Sequence, residues 1–154
     1  MEPVRVLGLV LVDPPPDPAV LPPGMVDGLL EKMRGDDYWK TVEDYYRSIA
    51  SEDEQVAERV LRDIKATRKE TVIGAFEAMS RFDPHVFTNY QGPALSIIQS
   101  QYDVEGALHR IAHMEHIAID GAGHFIHLAA PDRFLDTLED FIGDYESAKL
   151  DAMV

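Results

Sequence analysis

The stretch Gly121-Ala122-Gly123-His124-Phe125-Ile126-His127-Leu128, followed by Ala129-Ala130-Pro131-Asp132-Arg133-Phe134, decides how this chain is read. A short apolar run, His116-Ile117-Ala118-Ile119-Asp120, leads into it. An amphipathic run, Pro131 to Ile142, leads out. The pattern predicts a strand, a glycine-rich turn that presents His124, and a helix. Gly121 and Gly123 let the backbone turn with no Cβ in the way. A reactive side chain at the carboxyl end of a strand sits where open α/β sheets bind ligands.

Two further apolar runs share this character. Val4 to Val12 is nearly unbroken apolar and ends in Asp13-Pro14-Pro15-Pro16. Gly92-Pro93 opens Ala94-Leu95-Ser96-Ile97-Ile98, which ends in Gln99-Ser100-Gln101-Tyr102-Asp103. Continuous apolar runs, unlike alternating ones, suit strands buried on both faces of a parallel sheet. Pro14 to Pro23 holds six prolines and can be neither helix nor ladder, so it is expected to be a stiff loop.

From Met25 to Phe82 the period turns helical, with candidates at Met25–Met33, Asp37–Ile49, Glu54–Ala66 and Thr71–Phe82. The second carries Tyr38, Trp39, Tyr45 and Tyr46 at helical spacing, either a core stripe or the wall of a pocket. Leu108 to His116 reads as a solvated helix. His109 and His113, four apart, would share its face at a spacing that can bind zinc. No carboxylate-rich pattern completes a site there, so no metal or other cofactor is expected. The final helix, from Pro131 to Tyr145, is expected to set Phe134, Leu135, Leu138, Phe141 and Ile142 against the sheet.

The His124 segment resembles the catalytic-histidine segment of the α/β-hydrolase fold, where Gly-x-Gly-His-x-x-His/Gln-Leu-x-x-Pro-x-x-Phe follows the last core strand. The resemblance implies a partial α/β-hydrolase fold with about three parallel strands, a helical lid insertion and a C-terminal helix. It divides one domain, residues 1–154, into a strand (1–13), a proline-rich loop (14–24), a lid (25–82), and the last two strands with the histidine loop and helix (83–154). It makes His124 the general base and Asp103, in the loop after the second strand, the triad acid. Asp13 would lie at a strand's carboxyl end beside the site rim. Tyr38, Trp39 and Phe125 become candidate substrate-binding residues.

The resemblance covers only the second half of that fold. No Gly-x-Ser-x-Gly elbow occurs, and no serine sits between two glycines. Ser100 stands in the right neighbourhood, flanked by Gln99 and Gln101. Asp103 and His124 alone could polarise a water, a general-base effect of about 10²–10⁴, so weak or no esterase turnover is expected of the isolated chain. The strand at Val4–Val12 would stand at a sheet edge, and such edges pair with what they meet. The expected partner is a second copy across that strand, or a separate chain carrying the nucleophile half. Three readings follow: the His/Asp part of a hydrolase acting on an ester-type bond, an inactive remnant or engineered fragment serving as scaffold or small-molecule binder, and a histidine-based metal-dependent hydrolase.

Composition narrows the field. The chain has 154 residues, enough for one core. Its formal charge of −14, from 28 acidic and 14 basic side chains, disfavours nucleic acid and anionic membranes. No apolar run of eighteen residues occurs, and a soluble, cytoplasmic protein is expected. With no cysteine, disulfide and thiol chemistry are excluded.

Overall fold

The computed structural model describes residues 6–151, with side chains through residue 144. Three strands form one parallel sheet in the order β1-β2-β3: β1 (Leu9–Val12), β2 (Ala94–Ile98) and β3 (Glu115–Ala118). Helices fill the connections, so the fold is α/β. Val10 pairs with Leu95 and Val12 with Ile97; Ser96 pairs with His116 and Ile98 with Ala118.

β1 begins later than the apolar run does. Leu9 donates its N–H to Pro93 O at 3.0 Å. The next rung would need an N–H from Pro93, which has none, so the ladder stops. Val4 and Arg5 lie outside the described residues. Among the described residues β1 pairs with β2 alone.

The core of the sheet lies on the face that carries Leu95 and Ile97. Leu95 and Ile97 form a buried cluster with Ile119, Ala122 and Ile126, against which Val10, Val12, Phe134 and Phe141 pack. Phe134 and Phe141 belong to α7 (Pro131–Asp151). Leu135 and Ile142 do not join them: they are 53% and 52% exposed. Each lies one residue, about 100°, round the helix from its phenylalanine, so the helix docks by a narrower stripe than expected.

Four helices occupy the segment between the proline loop and β2: α1 (Met25–Arg34), α2 (Tyr38–Ile49), α3 (Glu54–Ala66) and α4 (Lys69–Ser80). Asp53 caps α3 by accepting the N–H of Gln55 at 2.8 Å. Leu30, Met33, Val42, Val72 and Phe76 make a second core, with Tyr38, Trp39, Tyr45 and Tyr46 packed around it. The aromatic stripe is therefore mainly core. Tyr45 meets Phe76 edge-on at 4.9 Å. Among the described residues no helix is long and apolar enough to cross a membrane.

The segment expected to be helical from Leu108 to His116 splits. Only α5 (Leu108–Ile111) is helix; His113 turns into the left-handed region at φ 53°, and His116 is already in β3. His109 and His113 therefore share no helix face.

Candidate functional site

Asp13 follows β1 directly. Its N–H bonds Ile97 O at 2.7 Å, which extends the ladder by one residue before the backbone flips to φ 43°. Aspartate tolerates that region better than most residues, at a cost of about 1–3 kcal/mol. Three prolines come next, so no helix can carry the chain away. The carboxylate is buried, with the residue only 2% exposed. It is fully engaged: Oδ1 accepts the Gln99 N–H at 3.1 Å and Oδ2 accepts Gln99 Nε2–H at 3.0 Å. Gln101 in turn donates its amide to Gln99 Oε1 at 2.6 Å.

His124 Nδ1 stands 2.8 Å from Asp13 Oδ2. The histidine arrives there through β3. Ile119 N–H bonds Ile98 O at 2.8 Å, and Gly121 and Gly123 then turn at φ 74° and 60°. The loop is pinned from the helical side, since His124 N–H donates to Ile49 O at 2.7 Å. A Cβ on Gly123 would fall 2.4 Å from Ser51 N and 2.6 Å from Ala50 C, so only glycine admits this approach. The His124 side chain remains 38% exposed. With Nδ1–H donated to the carboxylate, Nε2 carries the free lone pair.

A cavity of about 480 Å³ opens over this pair. Pro14, Leu21, Val26, Leu29, Tyr45 and Met79 supply its wall, with Tyr102 and Ser48 at its polar positions. No lysine or arginine lines it. Burial pushes the Tyr45 hydroxyl up to about 12, and burial with the charge of Asp13 raises Tyr102. A more open depression of about 530 Å³ runs along α3 past Asp53, Glu58 and Arg62, and none of the six histidines lines it.

The other expected site residues go elsewhere. Asp103 does not face His124. A 3₁₀ turn at Ser100–Tyr102 carries it past the rim, where Arg110 Nε donates to Oδ1 at 2.7 Å and His109 Nε2 lies 2.9 Å from the same oxygen. Those two partners, Arg110 first, hold its carboxyl well below the usual carboxylate range. The acid beside His124 is Asp13, and Asp103 belongs to a separate cluster. Tyr38 and Trp39 do not line the cavity; Lys69 and Lys65 cover their rings at 4.7 and 5.2 Å. Phe125 meets His124 edge-on at 5.1 Å and stacks on Tyr46 at 6.3 Å, which buttresses the imidazole. His127 is exposed, and the Ser100 hydroxyl bonds Asp120.

No protein-family model matches the chain, and no curated protein matches it. A solved structure does. It is Est816, described as an N-acyl homoserine lactone degrading enzyme, with a TM-score of 0.66 and 19% sequence identity. The match covers 89% of this chain and 58% of that one, so this chain spans less than two thirds of its neighbour's length. At that identity the likeness is one of fold.

Proposed function

We propose that this chain carries the histidine–aspartate part of an α/β-hydrolase-type site that cleaves ester-type bonds, with an apolar acyl group in the cavity under α1 and α2. The contact between His124 Nδ1 and Asp13 Oδ2, at 2.8 Å on the floor of that cavity, carries the reading. The resemblance of the Gly121–Phe134 segment and the fold of the lactone-degrading neighbour both support it. A lactone is a cyclic ester, so the bond type is the same.

Asp13 fixes the tautomer and would balance the imidazolium that forms when Nε2 takes a proton. These 154 residues contain no nucleophile elbow. In the complete site the nucleophile comes from outside them, and Nε2 activates its hydroxyl. Without it, Nε2 takes a proton from water as the water oxygen attacks the acyl carbon. The carbon–oxygen bond to the leaving group then breaks, and the imidazolium returns the proton to that oxygen. This general-base route is worth about 10²–10⁴. An apolar wall with no cation disfavours anionic acyl groups.

The test is hydrolysis of p-nitrophenyl esters from acetate to octanoate by the pure chain, beside His124→Ala. The expected result is a weak rate that rises with acyl length and vanishes in the variant. A rate above background that His124→Ala leaves untouched would overturn the reading. So would addition of a nucleophile-bearing half that yields turnover indifferent to His124.

A further inference from the structure

Away from the cavity, three ligand-capable side chains from three separate segments converge. Asp103 follows the 3₁₀ turn after β2, His109 comes from α5, and His116 from β3. One donor atom from each lies within 4.8 Å of the other two. We propose that Asp103, His109 and His116 form a binding site for a divalent transition metal, with zinc the best fit.

The spacing carries the argument. Zinc–nitrogen and zinc–oxygen bonds run about 2.0–2.2 Å, so two ligands on one zinc ion sit about 3–4 Å apart. His109 Nε2 is 2.9 Å from Asp103 Oδ1, a hydrogen bond that the ion would replace as the ring gives up that proton, and His116 Nε2 is 3.8 Å from Asp103 Oδ2. The second distance is too long for a hydrogen bond, yet suits two ligands bridged by an ion. Asp103 Oδ2 has no hydrogen-bond donor among the described residues, because Arg110 and His109 both address Oδ1.

The surroundings fit the role. Arg110 supplies the outer hydrogen bond that orients a ligating carboxylate. His109 is 1% exposed. The two imidazoles pack against each other, 4.3 Å between ring centres and tilted by 32°. That contact keeps the two rings together before any ion arrives. His116 is 37% exposed, which gives the ion a way in and leaves the fourth position to water. Two imidazoles and one carboxylate are borderline donors that suit zinc or cobalt rather than calcium or magnesium. Bound there, the ion would tie the Gln99–Asp103 segment, which supports Asp13, to β3.

The experiment is calorimetric titration of the apo chain with Zn²⁺ near pH 7.5, with visible absorption of Co²⁺ as the geometric readout. One ion per chain is expected, with tetrahedral cobalt bands. His116→Ala, at an exposed position that leaves the fold intact, and Asp103→Asn should each weaken binding at least tenfold; His113→Ala and His127→Ala should not. Zinc should raise the melting temperature of the parent chain and not of His116→Ala. Absence of micromolar binding would refute the site, as would binding that survives both His116→Ala and Asp103→Asn. Any His124-dependent ester turnover should persist in a chelator, so this site and the hydrolytic reading fail separately.

Discussion

Asp13 Oδ2 and His124 Nδ1 are 2.8 Å apart across a chain separation of 111 residues. One residue ends the first strand and the other follows the third. The buried carboxylate has both oxygens spoken for, by Gln99 and by the imidazole. It can therefore not turn without breaking a bond, and the imidazole is held in one tautomer with Nε2 free.

Asp13→Asn should leave the cavity in place and remove the charge that favours the imidazolium. Any His124-dependent ester turnover should fall by about the general-base factor, 10²–10⁴. Loss of the charge-assisted bonds should also destabilise the chain by about 1–3 kcal/mol, read in a urea melt. Gln99→Leu strips the second support of the same carboxylate and should lower turnover less than Asp13→Asn does. Equal turnover in all three proteins would mean that the Asp13 contact has no part in the chemistry.

Gly123→Ala and Gly121→Ala should differ sharply, although both glycines have positive φ. At Gly121 a Cβ meets nothing within 4 Å, so only the backbone term of about 1–2 kcal/mol applies. At Gly123 the Cβ strikes the backbone of Ala50 and Ser51. The loop must then move off α2 and break the bond from His124 N–H to Ile49 O. Thermal melts of the two variants provide the comparison, and equal losses would contradict the close approach.

Stability should depend on pH at both ends of the scale. The folded Asp103 carboxyl lies below its unfolded value of about 3.9. Its contribution is thus present above that value and drains away as pH falls through the folded one. Asp103→Asn should flatten the acid limb of a stability–pH curve. Tyr45 is raised to about 12 by burial. Its neutral form favours folding below about pH 10, and that contribution is lost as pH rises towards 12. Tyr45→Phe should hold its stability further into alkali than the parent chain, and urea melts between pH 9 and 12 would reveal it.

We propose that the side of β1 left unpaired among the described residues finds a cover. Light scattering on the pure chain at micromolar concentration is expected to give a dimer paired across β1, and a nucleophile-bearing segment should compete with it. A monomer at every concentration would rule out the self-paired form.

Much of this molecule was legible in its residues. Apolar runs announced a parallel sheet, and three parallel strands are there, but only β2 is buried as the runs suggested: β1 is half-buried and β3 exposed, because few elements cover them. Helical period located four helices to within a few residues at each end. Two glycines around His124 announced a turn that presents it. These features are local: each depends on residues within one or two turns of chain, which is the range over which propensity and period act.

The partner of His124 was not local, and only the tertiary structure decided it. Asp13 and Asp103 both follow strands, and no periodicity ranks one above the other. What separates them is a 3₁₀ turn that swings Asp103 into the reach of Arg110 and His109, together with the left-handed backbone that folds Asp13 under Gln99. Gln99, at the end of β2, spans with its side chain to Asp13. The same limit explains the aromatic stripe. Spacing put Tyr38, Trp39, Tyr45 and Tyr46 on one helix, but the packing of α1 and α4 around it set all four against the core and let Tyr45 alone also line the cavity.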